Sequence, residues 1–106
     1  MKKLAPFAML GLLLAAGPVL AEPPAAAQKS GCMGCHSIDK KLVGPSFKSI
    51  ADKNKDQADA LVRLSDKVRK GGAGVWGPIP MSPNGPDKIS DADLKQVIEW
   101  VLKGAS

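Results

Sequence analysis

Three residues in the first half of the chain could do chemistry together: Cys32, Cys35 and His36. They form the pattern C-x-x-C-H, which is the attachment pattern for c-type haem. Two thiols three residues apart on a turn can each add to one vinyl group of the porphyrin. The adjacent imidazole is then carried beneath the iron as an axial ligand. The motif therefore predicts one covalently bound haem c.

Other uses of the same three side chains agree less well with the rest of the sequence. A disulfide or a thioredoxin-like redox pair is compatible with export, but it lacks a βαβ context and leaves His36 unexplained. A structural zinc ion needs four ligands, and the chain has no further Cys or His to complete the set. Free thiols are the weakest alternative, because an oxidising compartment does not preserve them.

The sixth ligand of the iron is found by elimination. His36 is the single His in the chain, so a second His ligand is impossible. Of the four Met residues, Met1 and Met9 lie in the apolar N-terminal segment and Met33 lies inside the attachment loop. Met81 remains, and a thioether on iron favours Fe(II). The prolines beside it, Pro78, Pro80 and Pro83, would lower the entropic cost of holding a weak ligand. The alternative is a methionine that only fills apolar space.

The elements that must position these residues are helical. Apolar spacing and helix-start signals predict helices over residues 24–34, 46–53 and 57–70. The last helix is the clearest: Ser90 to Asp93 resembles a capping box, and the list Leu94, Val97, Ile98, Val101, Leu102 forms one apolar stripe. Because no segment alternates with a period of two, the domain is predicted to be all-α.

Residues 71–89 form a loop with five Gly and four Pro. Composition alone is compatible with a flexible surface loop. However, Val75, Trp76, Ile79 and Met81 are interleaved with the Gly and Pro residues. Restricted backbone with apolar contacts favours a loop held in one shape, and long loops in small domains are usually functional.

The N-terminus has the layout of a secretory signal peptide, with Lys2 and Lys3 followed by an uncharged apolar run and a small-residue pattern at Ala21. We expect residues 1–21 to be the leader, removed near Ala21, and residues 22–106 to be one monohaem domain. The alternative is a retained membrane anchor, because the run reaches the lower limit of a membrane-spanning length.

Cleavage would leave 85 of the 106 residues and lower the formal net charge from +5 to +3. Such a mild charge does not favour nucleic acid as a partner. A domain of this size is close to the limit at which a protein-only core suffices, and its aromatic residues are few: Phe47, Trp76 and Trp100, with no Tyr. A buried haem would add the apolar surface that the core otherwise has too little of.

Longer stretches of the sequence point to a family. From about residue 22 to 103 the chain resembles the small bacterial class I cytochromes c of the "five-five-one" type. The stretches that carry the resemblance are Gly31-Cys-x-x-Cys-His36, Val43-Gly-Pro45, Val75-Trp-Gly-Pro-Ile-Pro-Met81, Pro83-Asn84 and Glu99-Trp-Val-Leu102. The resemblance implies a small all-α fold of about four short helices around one haem, with His36 and Met81 on the iron.

The resemblance also implies roles for other residues. Pro45 would accept a hydrogen bond from Nδ1 of His36, and Trp76 would donate its indole N–H to a haem propionate. Asn84 would hydrogen-bond near the sulfur of Met81. Lys67 aligns with a basic partner of a propionate, and Arg69 is an alternative for that role. The segment before the last helix, residues 85–89, is longer than the corresponding segment in the family pattern.

An iron with two protein ligands has no open position for substrate, so the sequence predicts an electron carrier and not an enzyme. The alternative is a peroxidase-like haem enzyme or a gas sensor with a displaceable sixth ligand. The resemblance implies a monomer in the periplasm without stable membrane insertion, with a donor such as a quinol–cytochrome c reductase. The acceptor would be a nitrite reductase, a terminal oxidase or a cytochrome peroxidase. Docking would be guided by Lys29, Lys40, Lys41, Lys67 and Lys70.

Overall fold

The computed structural model describes residues 22–106 of the chain. The predicted leader, residues 1–21, and its cleavage near Ala21 lie outside the described residues. The described residues form four α-helices, one short 3₁₀-helix and a two-stranded hairpin. The predicted helical architecture is therefore confirmed. None of the described helices has the length and apolar character needed to cross a bilayer.

The first predicted helix is divided in two. Helix α1 spans Ala25–Lys29, and a 3₁₀-helix spans Cys32–Gly34. Between them Gly31 adopts a left-handed conformation with φ of 82°, which glycine tolerates and other residues rarely adopt. The prediction of one continuous helix over residues 24–34 is therefore wrong, and the break places the attachment motif on a turn of its own.

Helices α2 and α3 follow the predicted positions with small shifts. Helix α2 spans Phe47–Asn54, and the Ser46 hydroxyl accepts a hydrogen bond from the backbone N–H of Ser49 at its start. Helix α3 spans Ala60–Lys70. It begins three residues later than predicted, because Gln57 N–H bonds to the Asn54 carbonyl and Ala60 N–H to the Gln57 carbonyl in a separate turn.

The Gly- and Pro-rich loop contains two strands that the sequence did not predict. Strand β1 spans Gly72–Gly74 and strand β2 spans Gly77–Met81, paired antiparallel. Gly71 follows the last residue of helix α3 and has a φ of 66°. A Cβ at that position would collide with the Met81 carbonyl and lie 2.8 Å from the Pro83 nitrogen. The missing side chain therefore allows the end of β2 to pass against the end of α3.

Helix α4 spans Asp91–Leu102 and is the centre of the core. The predicted cap is present, since the Ser90 hydroxyl accepts from the Asp93 N–H at 3.2 Å. The buried side chains of the helix fall into two groups. Leu94, Val97 and Ile98 pack with Ala27 and Ile89, and Val101 packs with Phe47 and Ala105. Helix α4 therefore holds α1, α2 and α3 around one side of the domain.

Candidate functional site

A cavity of about 690 Å³ lies between the attachment motif, α3, α4 and the hairpin. The eight residues predicted to bind the cofactor all line it: Cys32, Cys35, His36, Pro45, Lys67, Trp76, Met81 and Asn84. These positions span more than fifty residues of chain. The fold therefore brings them to one place, of a volume usual for cofactor sites, which occupy about 300–1,000 Å³.

The His36 ring is fixed from two sides. Its Nδ1 lies 2.7 Å from the carbonyl oxygen of Pro45, which is the contact that the resemblance implied. A carbonyl oxygen can only accept, so Nδ1 carries a proton, and in the neutral ring the lone pair is then on Nε2. The ring also stacks on Phe47, with centroids 5.2 Å apart and planes at 22°. This side chain is oriented and held in the tautomer that a metal requires.

Gly44 holds a third side of the same ring. A Cβ on Gly44 would lie 2.6 Å from Cε1 and 2.9 Å from Nδ1 of His36. The Gly44 N–H donates to the Cys35 carbonyl at 2.8 Å, which keeps this backbone pressed against the motif. The absence of a side chain at Gly44 is therefore a requirement for the position of the imidazole.

No disulfide joins Cys32 and Cys35. Burial raises the pKa of the Cys32 thiol, with a smaller opposing effect from a backbone hydrogen bond. A raised pKa is the reverse of what thioredoxin-like redox cysteines need, because their chemistry depends on the thiolate. Among the described residues, no three His, Cys, Asp or Glu side chains are placed to hold a metal ion together. The geometry thus favours neither the redox pair nor the zinc site.

Met81 is the last residue of β2 and lines the cavity. Met33 lies elsewhere, packed against the apolar cluster of Phe47, Val101 and Ala105. Of the methionines in the described residues, Met81 alone is placed at the cavity wall.

The two basic candidates on α3 separate clearly. Lys67 lines the cavity. Arg69 is directed away from it and donates to the Ile89 carbonyl at 2.7 Å and to the carboxylate of Asp91 at 2.5 Å. The sequence left open whether Lys67 or Arg69 would contact a propionate. Of the two, only Lys67 lines the cavity and is placed to reach a group bound there.

Trp76 lies at the hairpin turn, where it lines the cavity and is 43% exposed. The Lys53 ammonium lies 5.2 Å from the centre of its ring, a cation–π geometry. This contact joins the end of α2 to the hairpin at the cavity mouth.

The Asn84 side chain has partners on the backbone around Met81. Its carboxamide nitrogen donates to the Ser82 carbonyl at 2.9 Å and to the Val68 carbonyl at 3.4 Å. The backbone N–H of Asn84 also bonds to Val68, at 3.0 Å. In this geometry Asn84 ties the segment after β2 to α3.

A family comparison decides what this cavity is for. The family model for cytochrome c matches residues 21–105, almost the whole described chain. The chain belongs to the cytochrome c family.

Individual cytochromes c agree with this result. The chain is 49% identical over 83 residues to "Cytochrome c2" of Rubrivivax gelatinosus, covering 78% of this chain and 98% of that protein. It is 41% identical to "Cytochrome c-551" of Pseudomonas aeruginosa, with 92% and 95% covered. The crystal structure of Nitrosomonas europaea cytochrome c552 superposes with a TM-score of 0.69 at 44% identity, covering 74% of this chain and 95% of that one.

The cytochrome c family gives the chain its cofactor and its class of function. It is a small class I cytochrome c that binds one covalent haem c through its Cys pair, Cys32 and Cys35, and the residues of the cavity fit that group. Haem c uses two thiols for covalent attachment, and an imidazole and a thioether can serve as donors to its iron. The protein is an electron carrier and not an enzyme, as predicted.

Some lining residues of this cytochrome c were not singled out from the sequence. Gly44 lay within the quoted Val-Gly-Pro stretch, but its contact with His36 needs the tertiary structure. The apolar wall of the cavity comes from the inner faces of α3 and α4. The spacing of apolar residues in these helices predicted that one face is buried, but not what that face contacts. These side chains are Leu64, Val68, Leu94, Val97, Ile98 and Val101. Lys88, which also lines the cavity, lies in residues 85–89, where no pattern in the sequence marked it.

Proposed function

We propose that this cytochrome c works in the periplasm as a single-electron carrier whose iron is held by His36 and Met81. The observation that carries the proposal is that both side chains line one cavity with both thiols of the attachment motif. Haem, when bound there, supplies a one-electron iron couple.

On one side of the cavity the chain prepares a nitrogen ligand. The Pro45 carbonyl holds the proton of His36 on Nδ1, and Phe47 supports the ring face. The His36 ring cannot turn without losing both contacts. Nε2 would therefore stay available to the haem iron in both the ferric and the ferrous state. Partners of this kind also raise the basicity of the ligand.

On the other side the chain presents a thioether. Met81 ends a strand paired to β1 through Gly72, and prolines before and after it restrict the backbone. The apolar walls from α3 and α4 would keep water from a haem in the cavity, and so would favour the less charged state of its iron. Lys67 and Trp76 would meet the propionates at the cavity mouth.

The exposed rim of the cavity supports contact with another redox protein. Val43, Val75 and Ile79 line the cavity and are each at least half exposed. Lys41 and Lys67 also line it. An apolar patch beside positive charge suits a transient partner with an acidic rim. The donor would be a quinol–cytochrome c reductase, and the acceptor a nitrite reductase, a terminal oxidase or a cytochrome peroxidase.

The proposal includes export. Residues 1–21 would serve as a leader that is removed near Ala21, so that residues 22–106 reach the periplasm as a monomer. Attachment of haem by two thioether bonds suits this compartment, because lost haem would not be replaced there.

The experiment that tests the ligand set and the export is a mass and optical study of the holoprotein purified from the periplasm of a cytochrome c-maturing bacterium. We expect an intact mass equal to residues 22–106 plus one haem. The ferric spectrum should contain the weak near-infrared band of Met–Fe(III) ligation, and the ferrous protein should not bind CO at neutral pH.

Absence of that band together with ready CO binding would contradict ligation by Met81 and would favour a displaceable sixth ligand. A mass that still includes residues 1–21 would contradict cleavage and leave the ligand set unaffected.

Electron transfer to an acidic partner is expected to slow as salt is added. Raising the ionic strength from 0.01 M to 0.5 M shortens the Debye length from roughly 30 Å to less than 10 Å. The second-order rate constant should fall on the order of tenfold, because steering by the Lys residues is screened. Stopped-flow mixing with an acidic redox protein measures this.

Two variants locate the charge that matters. Lys41→Glu should lower the rate at low salt, since Lys41 lies at the cavity rim. Lys70→Glu should lower it less, because Lys70 already pairs with Asp66 at 2.9 Å and does not line the cavity. Equal effects, or a rate indifferent to salt, would remove the steering proposal.

A further inference from the structure

Arg69 connects α3 to the segment that leaves Met81. This side chain, in the last turn of α3, is only 20% exposed. One guanidinium nitrogen donates to the carbonyls of Asn84, at 3.2 Å, and Ile89, at 2.7 Å. The other donates to the Asp91 carboxylate at 2.5 Å. The three partners lie at both ends of residues 84–91, which we call the distal strap.

The distal strap is fixed at further points along its length. Ile89 is 4% exposed and packs in the core beside α4. The Ser30 hydroxyl donates to the Lys88 carbonyl at 3.0 Å. The Lys88 and Ile89 N–H groups both bond to the Gly85 carbonyl. The Ile89 end is therefore anchored by packing, and Arg69 joins the Asn84 end to that anchor.

This connection bears on Met81 because Asn84 follows it by only three residues. A thioether bond to iron is weak, so the ligand stays in place only if the backbone does. Movement of Met81 away from the cavity would pull on Asn84 and strain its hydrogen bond with Arg69. Hydrogen bonds from a charged guanidinium are about twice as strong as neutral ones, and Arg keeps its charge at any ordinary pH.

We propose that Arg69 is a positioning residue for Met81, which closes the distal strap and so keeps the thioether in the cavity. The proposal rests on ligation of the iron by Met81. It does not require Arg69 to touch the cofactor, and Arg69 does not line the cavity.

Arg63 provides a matched control on the same helix. Its guanidinium donates to the Asn54 side chain at 2.8 Å and to the Gln57 side chain at 2.5 Å, so it ties α3 to α2. It has no part in the distal strap and does not line the cavity. Loss of Arg63 should lower the free energy of unfolding without releasing Met81.

The experiment is a titration of ferric holoprotein with imidazole at one neutral pH. Imidazole binds iron only in molecules from which Met81 has withdrawn, so its apparent dissociation constant reports the population of that open state. We expect Arg69→Ala to lower this constant about tenfold, because the three charge-assisted hydrogen bonds of Arg69 no longer hold the strap closed. Arg63→Ala should leave the constant within about twofold of the wild-type value. Its loss in free energy of unfolding, measured with guanidinium chloride, should be comparable to that of Arg69→Ala.

Two more variants make the outcomes separable. Met81→Ala should bind imidazole most tightly of all; if it does not, ligation by Met81 fails. If Met81→Ala behaves as expected but Arg69→Ala matches the wild type, only the positioning role fails. Should Arg69→Ala not mature, Arg69→Gln keeps a neutral hydrogen-bond donor without the charge. It should lower the constant about threefold, and a wild-type value would overturn the proposal.

Discussion

Met81→His is expected to lower the midpoint potential of the holoprotein on the order of 0.2 V, a part of the roughly 0.8 V that axial ligands span. A thioether stabilises Fe(II), whereas a second imidazole is the better donor to Fe(III). The covalent links at Cys32 and Cys35 are on a different element, so haem should remain attached. Spectroelectrochemical titration at neutral pH measures the shift.

Met33→Leu is the matched control for that experiment. Met33 packs against Phe47 and Val101 and does not line the cavity. Replacing one flexible apolar side chain with another of similar volume should leave the potential unchanged. If Met81→His retained haem with a wild-type potential, Met81 would not be the ligand.

The features that could be predicted from the sequence are those whose patterns lie within one short segment. The cap at Ser90 and the stripe from Leu94 to Leu102 need only residues within the same helix, so α4 was found with its correct start. The attachment motif is equally local. The family resemblance added Pro45 and Trp76, which no spacing rule alone would have brought to the cavity.

The hairpin could not be predicted because strand patterns are read from side chains. Strands β1 and β2 consist mainly of Gly and Pro, and most of their residues are exposed. They therefore show no alternation of apolar and polar positions. Their pairing depends on a backbone conformation that glycine permits, and on the passage of β2 against Gly71.

The choice between Lys67 and Arg69 could not be made from the sequence for a geometric reason. Residues two positions apart on a helix face different directions, separated by about 200° at 3.6 residues per turn. Both are long and basic, so charge and composition do not separate them. Which one faces the cavity depends on the orientation of α3 against α4, which is set by the burial of Leu64 and Val68.

Gly44→Ala is expected to lower the free energy of unfolding of the holoprotein by about 1–3 kcal/mol, as overpacking of a filled site does. The new Cβ would lie 2.6 Å from Cε1 of His36 and 3.2 Å from Nε2. The ring cannot retreat freely, because Phe47 stacks on it and the Pro45 carbonyl holds Nδ1. Guanidinium unfolding, followed through the haem absorbance, measures the loss.

Gly34→Ala shows whether the effect belongs to the contact or to any added methyl group near the motif. Gly34 lies between the two cysteines, and a Cβ there would meet nothing within 4 Å. Its φ is not positive, so Ala fits the backbone and restricts the unfolded chain slightly. We expect Gly34→Ala to be neutral or slightly stabilising. Equal losses in both variants would mean that the imidazole moves aside without resistance, and that the Pro45 and Phe47 contacts do not fix it.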